Sequence, residues 1–159
     1  MQSGPSLRAA VLIERRRAPN PWQEWVFDIA DVVVDAGQFG ATSRLLRDDG
    51  AMALFVHPGL PVTLFRDEAE GYYLNLTSGR PAWFVMWRID DNDASSAWPE
   101  RVTLSYNEGA RSLDAQERVD IVALPAEMRD WLQVFTEQNY KPEQKERRRP
   151  ASFVAPDRR

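Results

Sequence analysis

The chain contains no cysteine, which excludes disulfides, thiolate metal ligands and a cysteine nucleophile. Histidine occurs once, as His57, so a metal site built from several histidines is excluded too. A lone histidine without a visible partner is more often a turn residue than a general base. Because Pro58 and Gly59 follow it, His57 is predicted to lie at a hairpin. The sequence predicts no catalytic residues, no metal site and no cofactor.

Several enzyme motifs are also missing. The sequence has no GxSxG nucleophile elbow and no glycine-rich loop that could hold a phosphate. Acidic clusters at residues 67–70 and 90–93 lack the spacing and central glycine of a calcium loop. They are interpreted as solvated turns. A non-catalytic role is therefore favoured over an enzymatic one, although the activity itself stays open.

Long hydrophobic runs are absent as well. No stretch reaches the roughly 18 apolar residues that a transmembrane helix needs. The arginine run at residues 15–17 is followed by Ala18, Pro19, Asn20 and Pro21, whereas a twin-arginine export signal requires an apolar segment there. The sequence therefore predicts a soluble, cytoplasmic protein.

The residues that are present suit one folded unit. Of 159 residues, 43% are hydrophobic, including six tryptophans and seven phenylalanines, enough for one core. Residues 141–159 carry seven basic and three acidic residues, a net charge of +4, whereas the preceding residues carry 13 basic and 21 acidic ones, a net charge of −8. We expect a single globular domain at residues 1–140 and a basic, flexible tail at residues 141–159.

Alternating and branched apolar residues predict a protein rich in strands. A polar, mobile loop is expected at residues 36–50, a tight turn at residues 58–60, and a central strand covered on both faces at residues 82–89. A short helix is expected at residues 107–117. The predicted strands are residues 7–15, 24–34, 51–57, 61–67, 72–77, 82–89, 101–106 and 119–125.

The segment "ERRRAPNPWQEW" predicts a corner between two strands. Proline fixes its own backbone angle and lacks an amide donor, so the two prolines cannot continue a sheet ladder. The arginines are expected to end an outer strand. Trp22 and Trp25 are expected to begin the next element by packing on the core.

The clearest helix is predicted at residues 125–140. Its apolar residues recur at helical spacing and form one stripe that would cover an open side of the sheet. The short turns within residues 51–90 leave no room for crossover helices, which disfavours a parallel sheet. The predicted fold class is α+β, mainly antiparallel, with a bent or partly closed sheet of six to eight strands and the C-terminal helix packed against it. The stripe consists of Met128, Trp131, Leu132 and Phe135.

Five segments, taken in order, resemble a bacterial domain family of unknown function whose genes often lie beside those for molybdenum formate dehydrogenases and their maturation factors. The resemblance covers nearly all of residues 11–149. In the tail, the family usually has an aromatic residue before the basic ones, whereas this chain has "KPEQKERRR". The segments are "VLIERR", "NPWQEWVFDIADVV", "GYYLNLTSGRPAWFVMWR", "VTLSYNEGARSLDAQERVDIVALPAEMRDWLQVFTEQNY" and "KERRR".

The resemblance implies a setting and no reaction, since the family has no assigned catalytic residues. It implies an accessory protein that assists assembly, cofactor loading or regulation of a formate dehydrogenase by binding a subunit or maturation factor. An aromatic anchor and a basic steering element would suit such recognition. The expected contact residues are Trp22, Trp25, Arg147, Arg148 and Arg149.

Two other classes of function stay open, and the sequence does not predict the oligomeric state. The first is a small-ligand site or undetected enzyme that uses an aromatic pocket in the sheet. The second is nucleic-acid binding through the arginine clusters, which the negative charge of the preceding residues disfavours. The candidate pocket residues are His57, Tyr72, Tyr73, Trp83, Trp87 and Arg88.

Overall fold

The computed structural model describes residues 3–141 and contains seven strands and three α-helices in that range. A 3₁₀ turn, Arg66–Glu68, precedes the first helix. The strands are β1 (Ser3–Arg17), β2 (Trp25–Val34), β3 (Arg44–Asp48), β4 (Met52–Phe65), β5 (Ala82–Asp90), β6 (Asp93–Thr103) and β7 (Arg118–Ala123). The helices are α1 (Ala69–Leu76), α2 (Tyr106–Asp114) and α3 (Ala126–Asn139).

The strands form two antiparallel sheets. One sheet has four strands in the order β2-β1-β4-β3, and the other has three in the order β6-β5-β7. The predicted α+β class, the antiparallel pairing and the C-terminal helix are confirmed. The strands are divided between two sheets, and neither sheet closes on itself within residues 3–141.

The core lies between the two sheets and beneath α1 and α3. β5 is the middle strand of its sheet, and its alternate residues Trp83, Val85 and Trp87 join the core cluster. The other face of β5 meets α2, where the ring of Phe84 makes an edge contact with Tyr106 at a centroid distance of 6.1 Å. The prediction of a central strand covered on both faces is confirmed.

Helix α3 packs as its spacing predicts. Met128, Leu132 and Phe135 are buried, and Trp131 packs against the same cluster while partly exposed. Phe135 also meets the ring of Tyr72 in α1 edge-on, with centroids 5.9 Å apart. The short helix predicted at residues 107–117 is confirmed as α2.

The strand predicted at residues 72–77 is wrong, because this segment forms α1. The spacing of Ala69, Tyr72 and Leu76 places them on one helical face, and Asn75 lies beside them. The phenol oxygen of Tyr72 accepts a hydrogen bond from the Phe65 N–H at 2.9 Å, and burial raises the pKa of Tyr72. Tertiary contacts of this face therefore outweigh the strand-like alternation of "YYLNLT".

The tight turn predicted at residues 58–60 is also wrong, because β4 runs unbroken from Met52 to Phe65. Gly59 has a φ of +82° and lies where the register of β1 against β4 shifts. The Asp35 carboxylate accepts a hydrogen bond from the Gly59 N–H at 2.8 Å. Gly59 and Asp35 thus accommodate a shift in strand register, and β4 continues past it. His57 therefore lies within β4 and not at a hairpin.

Three further boundaries differ from the predictions. The loop expected at residues 36–50 contains β3, which pairs with β4. The acidic segment before residue 101 is mostly strand, since β6 begins at Asp93 after a short turn. β1 is not an outer strand, because it lies between β2 and β4.

Candidate functional site

The aromatic corner, residues 18–25, connects β1 to β2 and contains two prolines. The Ala18 N–H donates to the Glu24 carbonyl oxygen at 2.9 Å and closes the base of the corner. The Arg17 guanidinium donates to the Glu24 carboxylate at 2.9 Å across the same base. With its base closed and its backbone restricted by proline, the corner is a defined projection from the four-stranded sheet.

The two tryptophans of the aromatic corner have opposite environments. Trp22 is 84% exposed, so the prediction that it packs on the core is wrong. Trp25 packs against the core cluster as predicted. The guanidinium carbons of Arg15 and Arg17 lie 4.4 and 4.3 Å from its ring centroids, distances that give favourable cation–π contacts. Trp25 thus supports the corner, whereas Trp22 presents its ring to solvent.

The arginine run is held by contacts within the chain. Arg15 donates to the Ser95 carbonyl oxygen at 2.8 Å, and Arg16 donates to the Asp28 carboxylate at 2.6 Å, a bond that raises the pKa of Arg16. Arg17 is paired at the base of the corner. Nucleic-acid phosphates would have to compete with these contacts at residues 15–17. The second arginine cluster of that alternative lies outside the described residues.

The β4 pocket is a cavity of about 370 Å³ where β1, β3, β4 and the start of β6 meet. The guanidinium of Arg15 lies between two rings, with its central carbon 4.4 Å from the Trp25 centroid and 5.1 Å from the Phe55 centroid. The polar residues that line the β4 pocket include Arg15, Ser43, Arg44, His57, Asp93 and Ser96.

Two nitrogen atoms of the β4 pocket residues are shielded from solvent and have no hydrogen-bond partner among residues 3–141: Nε of Arg15 and Nε2 of His57. The other ring nitrogen, Nδ1 of His57, lies 2.8 Å from Ser43 Oγ. Burial lowers the pKa of His57, so its ring is neutral at pH 7. In the described part of the chain no carboxylate orients the ring at Nε2, so this serine–histidine pair is not the arrangement of a serine hydrolase.

The six candidate pocket residues do not line one common cavity. Tyr72 and Trp83 are fully buried in the core, and Trp87 lies there with its face beneath Arg118 at 5.4 Å. Arg88 is exposed and donates to the Glu100 carboxylate at 2.8 Å. His57 lines the β4 pocket.

Tyr73 lies in a different place, the α1–α3 groove, which has a volume of about 690 Å³. Its ring stacks on Tyr140 with centroids 4.4 Å apart. Arg129, Asp130 and Glu137 give this groove mixed charge. The aromatic pocket expected in the sheet is therefore replaced by two separate cavities, of which each contains one of the six residues.

The α1–α2 polar network was not predicted from the sequence. It joins the 3₁₀ turn, whose last residue Glu68 is the N-cap residue of α1, to the end of β6 and to α2. Ser105 Oγ accepts from the Glu108 N–H at 3.1 Å and donates to the Glu68 carboxylate at 2.6 Å. Arg111 donates to the other Glu68 oxygen at 2.9 Å. The Thr103 hydroxyl donates to the Glu108 carboxylate. The pattern Ser-x-x-Glu at the start of α2 is a helix-capping signal that was present in the sequence.

Asn75 fastens α1 to the three-stranded sheet. Its amide nitrogen donates to the carbonyl oxygens of Ala82 and Leu104 at 2.8 and 3.0 Å, and its amide oxygen accepts from the Ala82 N–H at 2.9 Å. Because the polar atoms of the Asn75 amide are buried and bonded within the chain, we assign Asn75 to stability. The α1–α2 polar network is only partly buried, and its groups are also paired with one another.

Three sequence predictions concern features on which the described residues bear in part or not at all. Arg147, Arg148 and Arg149 lie outside the described residues. Within residues 3–141, no group of three or more acidic or histidine side chains is arranged to hold a metal ion. Over the same residues, no helix has both the length and the apolar character required to span a membrane.

Residues 8–149 match a family model described as "Protein of unknown function (DUF3305)". A search of curated proteins and a search of solved structures found no match. The matched range includes the aromatic corner, the β4 pocket and the α1–α2 polar network.

Proposed function

We propose that this chain, which belongs to the DUF3305 family of proteins of unknown function, is a cytoplasmic, non-catalytic accessory protein that acts by binding another protein. The proposed partner is a subunit or maturation factor of a molybdenum formate dehydrogenase, which it would assist in assembly, cofactor loading or regulation. The identity of the partner rests on the sequence resemblance carried by the five segments from "VLIERR" to "KERRR", taken in chain order. The mode of binding rests on the aromatic corner.

The observation that carries the binding mode is the exposure of Trp22. A tryptophan ring offers a large contact area, and such residues dominate the energy of protein interfaces when a partner covers them. The base of the corner is closed by the Ala18–Glu24 and Arg17–Glu24 contacts. Little backbone ordering is then needed on binding, which favours affinity.

The surface beside Trp22 is also shaped for a contact. A recess of about 450 Å³ is lined by Arg17, Asn20, Trp22 and Glu24. The side-chain oxygen of Asn20 is buried and accepts no hydrogen bond from the described residues. A partner that inserts a donor group into the recess would satisfy that oxygen while its apolar surface covers Trp22.

Affinity purification from the native host grown with formate tests the identity of the partner. The bait is the full chain, compared with Trp22→Ala and with Leu113→Ala as a matched control. Leu113 is 60% exposed on α2 and does not lie in the corner. We expect the wild type and Leu113→Ala to recover a dehydrogenase subunit or maturation factor, and Trp22→Ala to recover at least tenfold less, a loss typical of a hot-spot residue.

The two parts of the proposal fail separately. Recovery without any dehydrogenase subunit or maturation factor would contradict the proposed partner. Equal recovery by Trp22→Ala and wild type would contradict the role of the aromatic corner. Thermal unfolding of each variant is the check on folding, because truncating an exposed side chain is expected to change stability by no more than about 0.5 kcal/mol.

Deleting residues 142–159 tests the part assigned to Arg147, Arg148 and Arg149. If the basic tail steers the partner, the deletion lowers the association rate and removes most of its salt dependence, while the dissociation rate stays nearly unchanged. An unchanged association rate at low salt would remove the tail from the proposal.

A further inference from the structure

The β4 pocket has features that partner binding at the aromatic corner does not explain. Arg15 comes from β1, Arg44 from β3, His57 from β4 and Asp93 from β6. Four strands therefore bring charged or polar groups to one cavity. Its volume of about 370 Å³ lies within the range of small-molecule sites.

The hydrogen-bonding state of His57 indicates which kind of ligand fits. A neutral imidazole has one donor nitrogen and one acceptor nitrogen. When the Ser43 hydroxyl donates to Nδ1 across their 2.8 Å contact, the proton lies on Nε2. Nε2 and Arg15 Nε are then two shielded donors without acceptors among residues 3–141. Since buried donors are rarely left unpaired, the pocket suits a ligand that supplies acceptors.

The charge of the β4 pocket limits the ligand further. Arg15 and Arg44 contribute two positive charges and Asp93 one negative charge, while burial keeps His57 neutral by lowering its pKa. Asp93 is held by Ser95, whose N–H and hydroxyl both donate to its carboxylate. The remaining charge of +1 matches a monoanion.

Arg15 is fixed in advance for such a ligand. Its guanidinium lies between the rings of Trp25 and Phe55, and Nη1 donates to the Ser95 carbonyl oxygen. Stacking and this one bond orient the planar group, so little side-chain freedom is lost when a ligand binds. A guanidinium also matches the geometry of a carboxylate better than an ammonium does.

We propose that the β4 pocket is a binding site for a small carboxylate monoanion, with Arg15 Nε and His57 Nε2 as the donors and Arg44 as the second positive charge. This site is separate from the proposed partner-binding role of Trp22. It also differs from the aromatic pocket expected from the sequence, with which it shares only His57.

The single histidine provides a direct probe. In tag-free protein labelled with ¹⁵N, the imidazole nitrogens of His57 are the only histidine signals. The ligand-free spectrum at pH 7.5 is expected to show a neutral ring with the proton on Nε2. Sodium acetate, added against sodium chloride at constant ionic strength, is expected to shift the Nε2 signal in a saturable manner. A proton on Nδ1 would overturn the assignment of Nε2 as donor.

Three variants locate the anion. Arg15→Gln is expected to weaken acetate binding by about tenfold, as expected for the loss of a charge-assisted hydrogen bond. Arg44→Gln is expected to weaken it two- to fivefold, because Arg44 is exposed. Arg47→Gln is the matched control, since Arg47 lies on the same strand but does not line the pocket, and its affinity is expected to equal that of the wild type.

Every outcome of the titration decides the proposal. A His57 signal that does not respond to acetate beyond the chloride control overturns it. Tighter binding of inorganic phosphate than of acetate overturns the preference for a carboxylate monoanion. If Arg15→Gln fails to fold, as judged by its amide spectrum, then Arg44→Gln and Arg47→Gln decide, and equal affinities for the two overturn the proposed site.

Discussion

The α1–α2 polar network and the β4 pocket lie in different parts of the fold, and both are built from hydroxyl, carboxylate and guanidinium groups. In the α1–α2 polar network, Glu68, Ser105 and Glu108 bind one another or a neighbouring arginine. In the β4 pocket, Arg15 and His57 each keep one shielded nitrogen without a described partner. Polar groups satisfied within the chain hold elements together, whereas Arg15 and His57 keep unpaired nitrogens beside a cavity.

The largest expected loss of stability comes from removing the side chain of Asn75, whose polar atoms are all bonded within the chain. Asn75→Ala removes three buried hydrogen bonds and leaves the polar groups of Ala82 and Leu104 without them. At about 1 kcal/mol for each bond, the free energy of unfolding is expected to fall by about 3 kcal/mol. For a chain of this length that corresponds to a fall in Tm of roughly 6–12 °C, measurable by calorimetry.

Asn92→Ala is the matched control, because Asn92 lies in the exposed turn between β5 and β6. Its expected effect is below about 0.5 kcal/mol. Similar losses of stability in the two variants would show that the buried bonds of Asn75 stabilise the fold no more than an exposed asparagine does.

A smaller loss of stability is expected at Gly71 of α1, which packs against Ser105, the N-cap residue of α2. An added Cβ at Gly71 would lie 2.1 Å from Ser105 Oγ and 3.1 Å from Ser105 Cβ. Although alanine favours helices by about 1 kcal/mol over glycine, this overlap is expected to make Gly71→Ala destabilising by about 2 kcal/mol. Urea unfolding measures the loss.

A double-mutant cycle identifies the cause. In the Ser105→Ala background the Oγ overlap is gone, so Gly71→Ala is expected to cost less there than in the wild type. Equal costs in both backgrounds would show that the contact with Ser105 Oγ is not responsible.

The smallest expected effect is a pH dependence of the free energy of unfolding that arises from His57 in the β4 pocket. Burial lowers the pKa of His57 in the folded state from its ordinary value of 6.5. The unfolded chain therefore takes up a proton first as pH falls, so this contribution to stability is complete above pH 6.5 and decreases below it. The loss in the free energy of unfolding from pH 7.5 to pH 5.5 is expected to be larger in the wild type than in His57→Gln.

Acetate sharpens that comparison. A carboxylate bound at the pocket stabilises the charged imidazole. Acetate should therefore reduce the extra loss in the free energy of unfolding that the wild type shows, relative to His57→Gln, between pH 7.5 and pH 5.5. An identical pH dependence of the two proteins without acetate would contradict the lowered pKa.

Elements with a single dominant periodicity were predictable from the sequence. The stripe of Met128, Leu132 and Phe135 predicts α3, and the apolar run at residues 82–89 predicts β5, because burial of those faces agrees with local preference. The aromatic corner was predictable from its prolines, although the exposure of Trp22 was not.

The errors arose where a local signal competes with distant contacts. The segment "YYLNLT" alternates like a strand, but Asn75 and Tyr72 make bonds with residues outside the helix, which a sequence pattern does not show. The dipeptide Pro58-Gly59 is typical of a turn, but Asp35 binds the Gly59 N–H from across the sheet and the strand continues. The β4 pocket was missed because Arg15 and His57 come to line one cavity only when β1 pairs with β4.

The position of β1 between β2 and β4 has a consequence for synthesis on the ribosome. β1 ends at residue 17 and its partner β2 ends at residue 34, so a hairpin can form early. The opposite edge of β1 pairs with β4, which ends only at residue 65. Until that point the nascent chain carries an unpaired strand edge flanked by apolar side chains, and this interval is when a chaperone would bind it.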